Sequence, residues 1–290
     1  MTIREKGYSH WDGKLEERRF PWWPISRLGI RLAFKKKYFR LLLFGALAVV
    51  FVFIVGIYIS ERIEDFRHMI KDEGQLLKID PAFFYTYLSN NFMLFMMVMI
   101  ALVGGAGLIA DDLKHNSLQL YFARPLKKID YLLGKANVLV FFFLLITLVP
   151  GLVFVFFKLL FAGNFEFLKT YPWLPVSVIG YSLFITGFFC LYALLLSSLS
   201  KNSRYVSILI VAVYYFSDIL FQFFFENVKK DPEFGLLSLR VNLQQVGAWF
   251  FNLKPKYAVP WYLSLLILLA VEAVGAVVLS RKVRGVEVVR

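Results

Sequence analysis

Cysteine is nearly absent from this chain, histidine is rare, and charged side chains make up only 18% of its 290 residues. The single cysteine, Cys190, lies inside an apolar run, which excludes an intramolecular disulfide and a thiolate metal cage and leaves it as a small apolar filler. His10, His68 and His115 fall in separate loops with no second ligand three or four residues away, so the spacing of a zinc protease or a di-metal site is missing. The one Gly-Lys pair, Gly134-Lys135, is followed by Ala136 and lacks the earlier glycine of a phosphate loop, and no G-x-S-x-G elbow occurs. No catalytic residue, metal ligand or cofactor is therefore assigned to the chain itself. Low-complexity tracts, clear internal repeats and a soluble domain are also lacking.

What the chain has in excess is apolar surface. It is 59% hydrophobic and 18% aromatic, with mean hydropathy +0.64, more than a globular core of this size can hide. About 20 residues at 1.5 Å each match a hydrocarbon layer of roughly 30 Å. Six runs of that length occur, at 41–60, 91–110, 136–157, 176–199, 205–225 and 261–280. The runs lack the alternating pattern of an outer-membrane barrel, and backbone polar groups cannot go unpaired in lipid, so helices are expected. The expected fold is an all-α membrane protein of six transmembrane helices in one domain.

The net charge of +13 would suit a nucleic-acid partner, but its distribution argues against one. Twenty-two of the 33 Lys and Arg residues lie before the first run, in the loops 111–135 and 200–204, and in the tail from 281. The alternate loops, 61–90, 158–175 and 226–260, hold eleven. That asymmetry puts both termini in the cytoplasm by the positive-inside rule. No cleavable signal peptide is expected, because forty basic and aromatic residues precede the first run.

Residues 1–25 read as an irregular cytoplasmic arm. Over 26–40, Leu28, Leu32 and Phe39 share a helical spacing with Arg31, Lys35, Lys36 and Lys37, the pattern of an interfacial elbow helix whose cations meet anionic headgroups. The loop 61–90 carries Ile63, Phe66, Met69 and Ile70 at helical spacing, which predicts an extension of the first helix. Leu236, Leu239, Leu243, Val246 and Phe250 recur every three or four residues, which predicts an amphipathic helix on or dipping into the outer leaflet before the sixth run. Pro255 and Pro260 then break the chain ahead of Trp261.

The most specific local pattern lies between the second and third runs. It includes Gly107, Asp111-Asp112, Ser117-Leu118, Leu120-Tyr121-Phe122, Arg124-Pro125-Leu126, Tyr131-Leu132 and Gly134-Lys135. Asp111 or Asp112 could cap a short helix running to Phe122, because Arg124 before Pro125 is biased toward extended backbone. This order and spacing resemble the permeases of type-2 ATP-binding cassette (ABC) exporters, which commonly carry a glycine-rich end of the second helix, an acid, a Ser/Thr-Leu-x-Leu stretch, Arg-Pro-Leu and Tyr-Leu-x-Gly-Lys. The resemblance implies a coupling helix driven by a separate ATPase, with Asp111, Asp112, Leu118, Tyr121, Phe122, Arg124, Pro125, Gly134 and Lys135 serving the coupling. It further implies two permease chains, two ABC ATPase subunits that bind ATP and Mg, surrounding lipid, and the inner membrane of a prokaryote.

Two acids lie within apolar runs, Asp218 and Glu272, and each costs about 3 kcal/mol unless paired or wetted. With Tyr214 and Gln222 they are candidates for the transport path; a structural hydrogen bond to a neighbouring helix is the other reading, and no cation is expected at their depth. An ATP-independent secondary transporter or channel would favour broken helices and repeated halves, and the sequence displays neither.

Overall fold

The computed structural model describes residues 20–62, 79–122, 126–228 and 231–283. Among these residues there is no strand, and six helices are long and apolar enough to cross a membrane: Lys37–Glu61, Pro81–Lys114, Lys128–Ala162, Leu174–Leu199, Ser203–Asn227 and Trp261–Lys282. The second starts ten residues before the expected run and the third runs eight before and five beyond it, because polar residues at their ends are folded into the helices. The 63–70 extension of the first helix and the arm 1–19 fall outside the described residues.

A separate helix, Trp23–Lys35, precedes the first span, with Pro24 in its first turn. It ends five residues before the expected boundary. Lys36 takes an extended backbone (ψ 118°), and the first span begins at once at Lys37. The short helix lies against the third span, where the Ser26 hydroxyl donates to the Gly134 carbonyl at 3.0 Å. A Cβ at Gly134 would stand 2.8 Å from Ile25 Cβ and 3.1 Å from the Trp22 carbonyl oxygen, so glycine permits this backbone approach.

Two spans are interrupted, contrary to the unbroken helices expected. In the second, Asn90 is extended and its side chain accepts from the Met93 N–H at 2.6 Å, which caps a new helical segment. A π-helix at Ala101–Gly105 and a turn at Ala106 follow. In the third, Pro150 lacks the N–H that would reach the Ile146 carbonyl one turn earlier. The Tyr87 hydroxyl donates to that carbonyl instead, at 2.7 Å, and the helix kinks at Thr147 (φ −115°, ψ −69°). A side chain from a neighbouring helix therefore closes a gap that lipid could not.

The fourth span is the hub of the bundle. It contacts the second, third, fifth and sixth spans and is buried along most of its length. The fifth and sixth bury single stripes, Val206, Ile210, Tyr214, Asp218 and Phe221 on one and Ser264, Leu268, Gly275 and Leu279 on the other. Their remaining surface is apolar and exposed, as lipid contact requires.

The amphipathic segment before the sixth span is a short 3₁₀ turn, Pro232–Leu237, and a helix, Leu239–Phe250. Its polar face is buried as well as its apolar one. Asn242 donates to the Leu236 carbonyl at 2.8 Å, Gln245 donates to the Tyr257 carbonyl at 2.9 Å, and Gly247 packs against Ser89 and Tyr181. The helix is thus set among the second, fourth, fifth and sixth spans, and the polar residues that suggested an aqueous or headgroup face make hydrogen bonds within the protein.

Candidate coupling site

The acids at the end of the second span do not cap the next helix. Asp111 and Asp112 lie in the last turns of the helical segment Gly107–Lys114, and the short helix starts at Ser117 after a bend in which Asn116 takes φ 53°. Asparagine tolerates that left-handed backbone better than most residues. A carboxylate near a helix C-terminus meets the negative end of the macrodipole, and Asp112 is stabilised by donors from the third span. Its Oδ2 accepts from the Tyr131 hydroxyl and from Lys135 Nζ, both at 2.7 Å. Lys135 and Asp112 are only 12% and 15% exposed, so water screens the pair weakly.

The same lysine reaches the short helix. Lys135 Nζ lies 5.8 Å from the Tyr121 ring centre and 5.5 Å from that of Tyr131, and the two rings are 5.2 Å apart. Burial, followed by the nearby Asp112 charge, raises the Tyr121 phenol above its usual pKa. On the same helix Leu118 is buried while Leu120 is 75% exposed. The helix Ser117–Phe122 therefore has one side fixed to the second and third spans and another side open.

Among the sequence-predicted coupling residues, Asp112, Leu118, Tyr121 and Lys135 come together here. Asp111 is exposed beside them, with its carboxylate toward Gly107. Gly134 packs against the Trp23–Lys35 helix, beside Ile25 and the Trp22 carbonyl. Phe122 ends the short helix, and Arg124 and Pro125 fall outside the described residues. Lys128, which the sequence offers with Arg124 and Lys127 only as charge beside this segment, donates through Nζ to the Ser280 carbonyl and links the far end of this loop to the last turn of the sixth span. The lysine was visible, but nothing local named its partner 152 residues away.

Asp218 has the cationic partner that the sequence reading did not expect. Arg240, within the segment expected to form the amphipathic helix, donates to Asp218 Oδ1 through Nη2 at 2.8 Å and Nε at 3.1 Å. Ser238 donates to the same oxygen at 2.9 Å, and Gln222 donates to Oδ2 at 3.3 Å. Arg240 also reaches Asn91 Oδ1 at 3.1 Å. The group ties the fifth span to the Leu239–Phe250 helix and to the second span. Tyr214 is buried on the same stripe and its hydroxyl has no hydrogen-bond partner among the described residues. Glu272 stands apart from this network, in a narrow crevice with Phe188, Leu191, Tyr192 and Leu195 of the fourth span. No cluster of three or more His, Cys, Asp or Glu suited to a metal occurs among the described residues.

A family model described as "ABC-2 family transporter protein" matches residues 35–282, nearly the whole of the six-span bundle. No curated protein matches the chain.

Proposed function

The chain belongs to the ABC-2 transporter family, as a multi-pass permease subunit that partners ABC ATPase subunits, and we propose that it forms half of an exporter driven through the helix Ser117–Phe122. In this reading two copies of the chain, identical or similar, pair in the inner membrane of a prokaryote and bind two ATPases from the cytoplasm. The ATPases hold ATP and Mg and supply the hydrolysis. The permease supplies the path and the lever. The excess of Lys and Arg in the tail and in alternate loops supports the placement of both termini, and of Ser117–Phe122, on the cytoplasmic side.

The observation that carries this reading is the clamp on Asp112. A push on the open side of the helix, around Leu120, is passed on, because Tyr121 packs on Tyr131 and Lys135 of the third span, which hold Asp112 of the second. Lys128 passes the same displacement toward the sixth span through Ser280. Leu118, Tyr121 and Phe122 are the apolar part of the proposed contact, and Arg124 the charged part.

Purification of the tagged chain from its native membrane should bring an ABC ATPase with it. In that complex, Tyr121→Ala with Arg124→Ala should leave insertion intact and lower transport per ATP hydrolysed by about 5-fold or more. Full transport by the double variant with its ATPase bound would remove the lever assignment. A cysteine placed at Ser117 and labelled from outside intact cells would remove the orientation as well.

A further inference from the structure

The segment that carries the coupling helix joins the rest of the second span through a discontinuity, and one hydroxyl of the fourth span closes it. The helix preceding the loop restarts at Gly107 after the π-helix Ala101–Gly105 and a turn at Ala106. Ala106 stays right-handed helical (φ −55°, ψ −38°), and the change from π to α hydrogen bonding frees N–H groups at the junction for an acceptor outside the helix. Ser197 Oγ accepts from the Ile109 N–H at 3.0 Å and the Ala110 N–H at 3.1 Å, and its own hydroxyl donates to the Ala106 carbonyl at 2.8 Å. All three bonds are buried, and Ser197 has no exposed surface.

Two further contacts surround the break. Lys36, at the bend between the Trp23–Lys35 helix and the first span, donates through Nζ to the Val103 carbonyl within the π-helix at 3.0 Å. A Cβ at Gly104 would stand 2.9 Å from the Phe39 ring, and one at Gly105 would stand 3.1 Å from Ala193 Cβ, one turn before Ser197. Gly105 thus lets the second span pack closely on Ala193 of the fourth beside the hydroxyl, while Gly104 does the same against Phe39 of the first. Interruptions of this kind mark hinges and kinks in helices.

We propose that residues 101–110 form a hinge in the second span, and that Ser197 is the positioning residue that pins it and carries displacement of the coupling helix into the fourth span. The segment Gly107–Lys114 is then a lever of about 12 Å with Asp112 clamped near one end and Ser197 holding the other. The fourth span contacts four others, so a movement delivered at Ser197 reaches most of the bundle. The hinge is a property of this chain; its role in coupling rests on the function proposed above.

The test uses spin labels on cysteines at exposed Lys114 and Leu199, in the full chain with Cys190→Ala, in lipid nanodiscs. The starting chain should give one narrow distance. Ser197→Ala should add a second population, raising its weight roughly 2- to 30-fold, and Ser197→Thr, which keeps the hydroxyl, should restore the narrow distribution. Lys36→Met, a change at an exposed side chain, should broaden it in the same direction and decides the question if Ser197→Ala does not fold. Distributions unchanged by Ser197→Ala, or by Lys36→Met where only that variant folds, would overturn the hinge. With the ATPase bound, vanadate trapping should shift the distance in the starting chain and shift it less in Ser197→Ala, which a purely structural serine would not cause. An equal shift in both would overturn the positioning role. Failure of any ATPase to bind the starting chain would instead refute the coupling reading, while the distances in the permease alone still decide the hinge.

Discussion

Replacing Lys135 with methionine should release the coupling helix from the bundle, and its size follows from the geometry around Asp112. Methionine keeps the stem of the side chain and its contact with the Tyr121 and Tyr131 rings, but removes the cation 2.7 Å from Asp112 Oδ2. The carboxylate then retains the Tyr131 hydroxyl alone, at a helix end whose dipole opposes it. Exposed ion pairs contribute about 0–1 kcal/mol, and breaking a fully buried pair costs about 3–5 kcal/mol. At 12% and 15% exposure, and with one charge-assisted hydrogen bond lost, the change should cost about 1.5–3 kcal/mol. That corresponds to roughly a 10- to 150-fold rise in the detached population.

Amide hydrogen exchange over residues 115–122 measures this detachment. A helix of six residues is not stable alone, so protection of Ser117–Phe122 reports its docking and not its intrinsic helicity. Lys135→Met should lower protection there while the fourth span keeps its own. Asp112→Asn should do so less, because the Tyr131 hydroxyl keeps an acceptor. The double variant should be no worse than the poorer single one, since both changes remove the same interaction. Unchanged exchange in Lys135→Met, or effects that simply add, would refute the clamp.

Two further outcomes test the bundle. Arg240→Met leaves Asp218, at 13% side-chain exposure, with only Ser238 and Gln222 as donors and should destabilise the protein by about 1.5–3 kcal/mol, with most of the loss recovered when Asp218→Asn is added; thermal unfolding in detergent reads both, and no recovery would mean that the pair is not the relevant contact. Tyr87→Phe leaves the Ile146 carbonyl without its donor and should cost about 1–3 kcal/mol in the same assay, so an unaltered melting curve would show that the kink does not depend on that hydroxyl.

The six spans were legible because their signal is compositional: long uncharged runs have no other stable form in lipid. The short helix Ser117–Phe122 was legible because the apolar run Leu118 to Phe122 comes just before Arg124-Pro125, a pair biased against helix in the sequence. The Asp111 and Asp112 cap was misread because a capping acid and an acid in the preceding helix look alike in sequence, and the bend at Asn116 decides between them. Arg240 escaped notice for a related reason. An arginine on the polar face of an amphipathic helix suggests a headgroup, yet here the helix is enclosed apart from Trp249 and the arginine meets Asp218. The interruptions of the second and third spans carry weak local marks, a pair of glycines and one proline. What repairs them comes from elsewhere in the chain.

That last point bears on how the protein can move. Apart from the break at Asn90, which its own side chain caps, each break is closed by a polar group from elsewhere: Tyr87 of the second span serves the third, Ser197 of the fourth serves the second, and Lys36 ahead of the first serves the π-helix. A hydrocarbon environment gives a broken backbone no alternative partner, so a span that bends further at its break must keep these donors or leave groups unpaired. Motion that preserves them is rotation of a segment about the donating side chain. The serine permits this best, because one short side chain meets three backbone groups within about one turn of helix. Tyr87 instead holds the Ile146 carbonyl through a fully buried ring packed against Phe53 and Phe154. Displacement entering at Tyr121 should therefore be taken up at residues 101–110 before the kink at Thr147 changes.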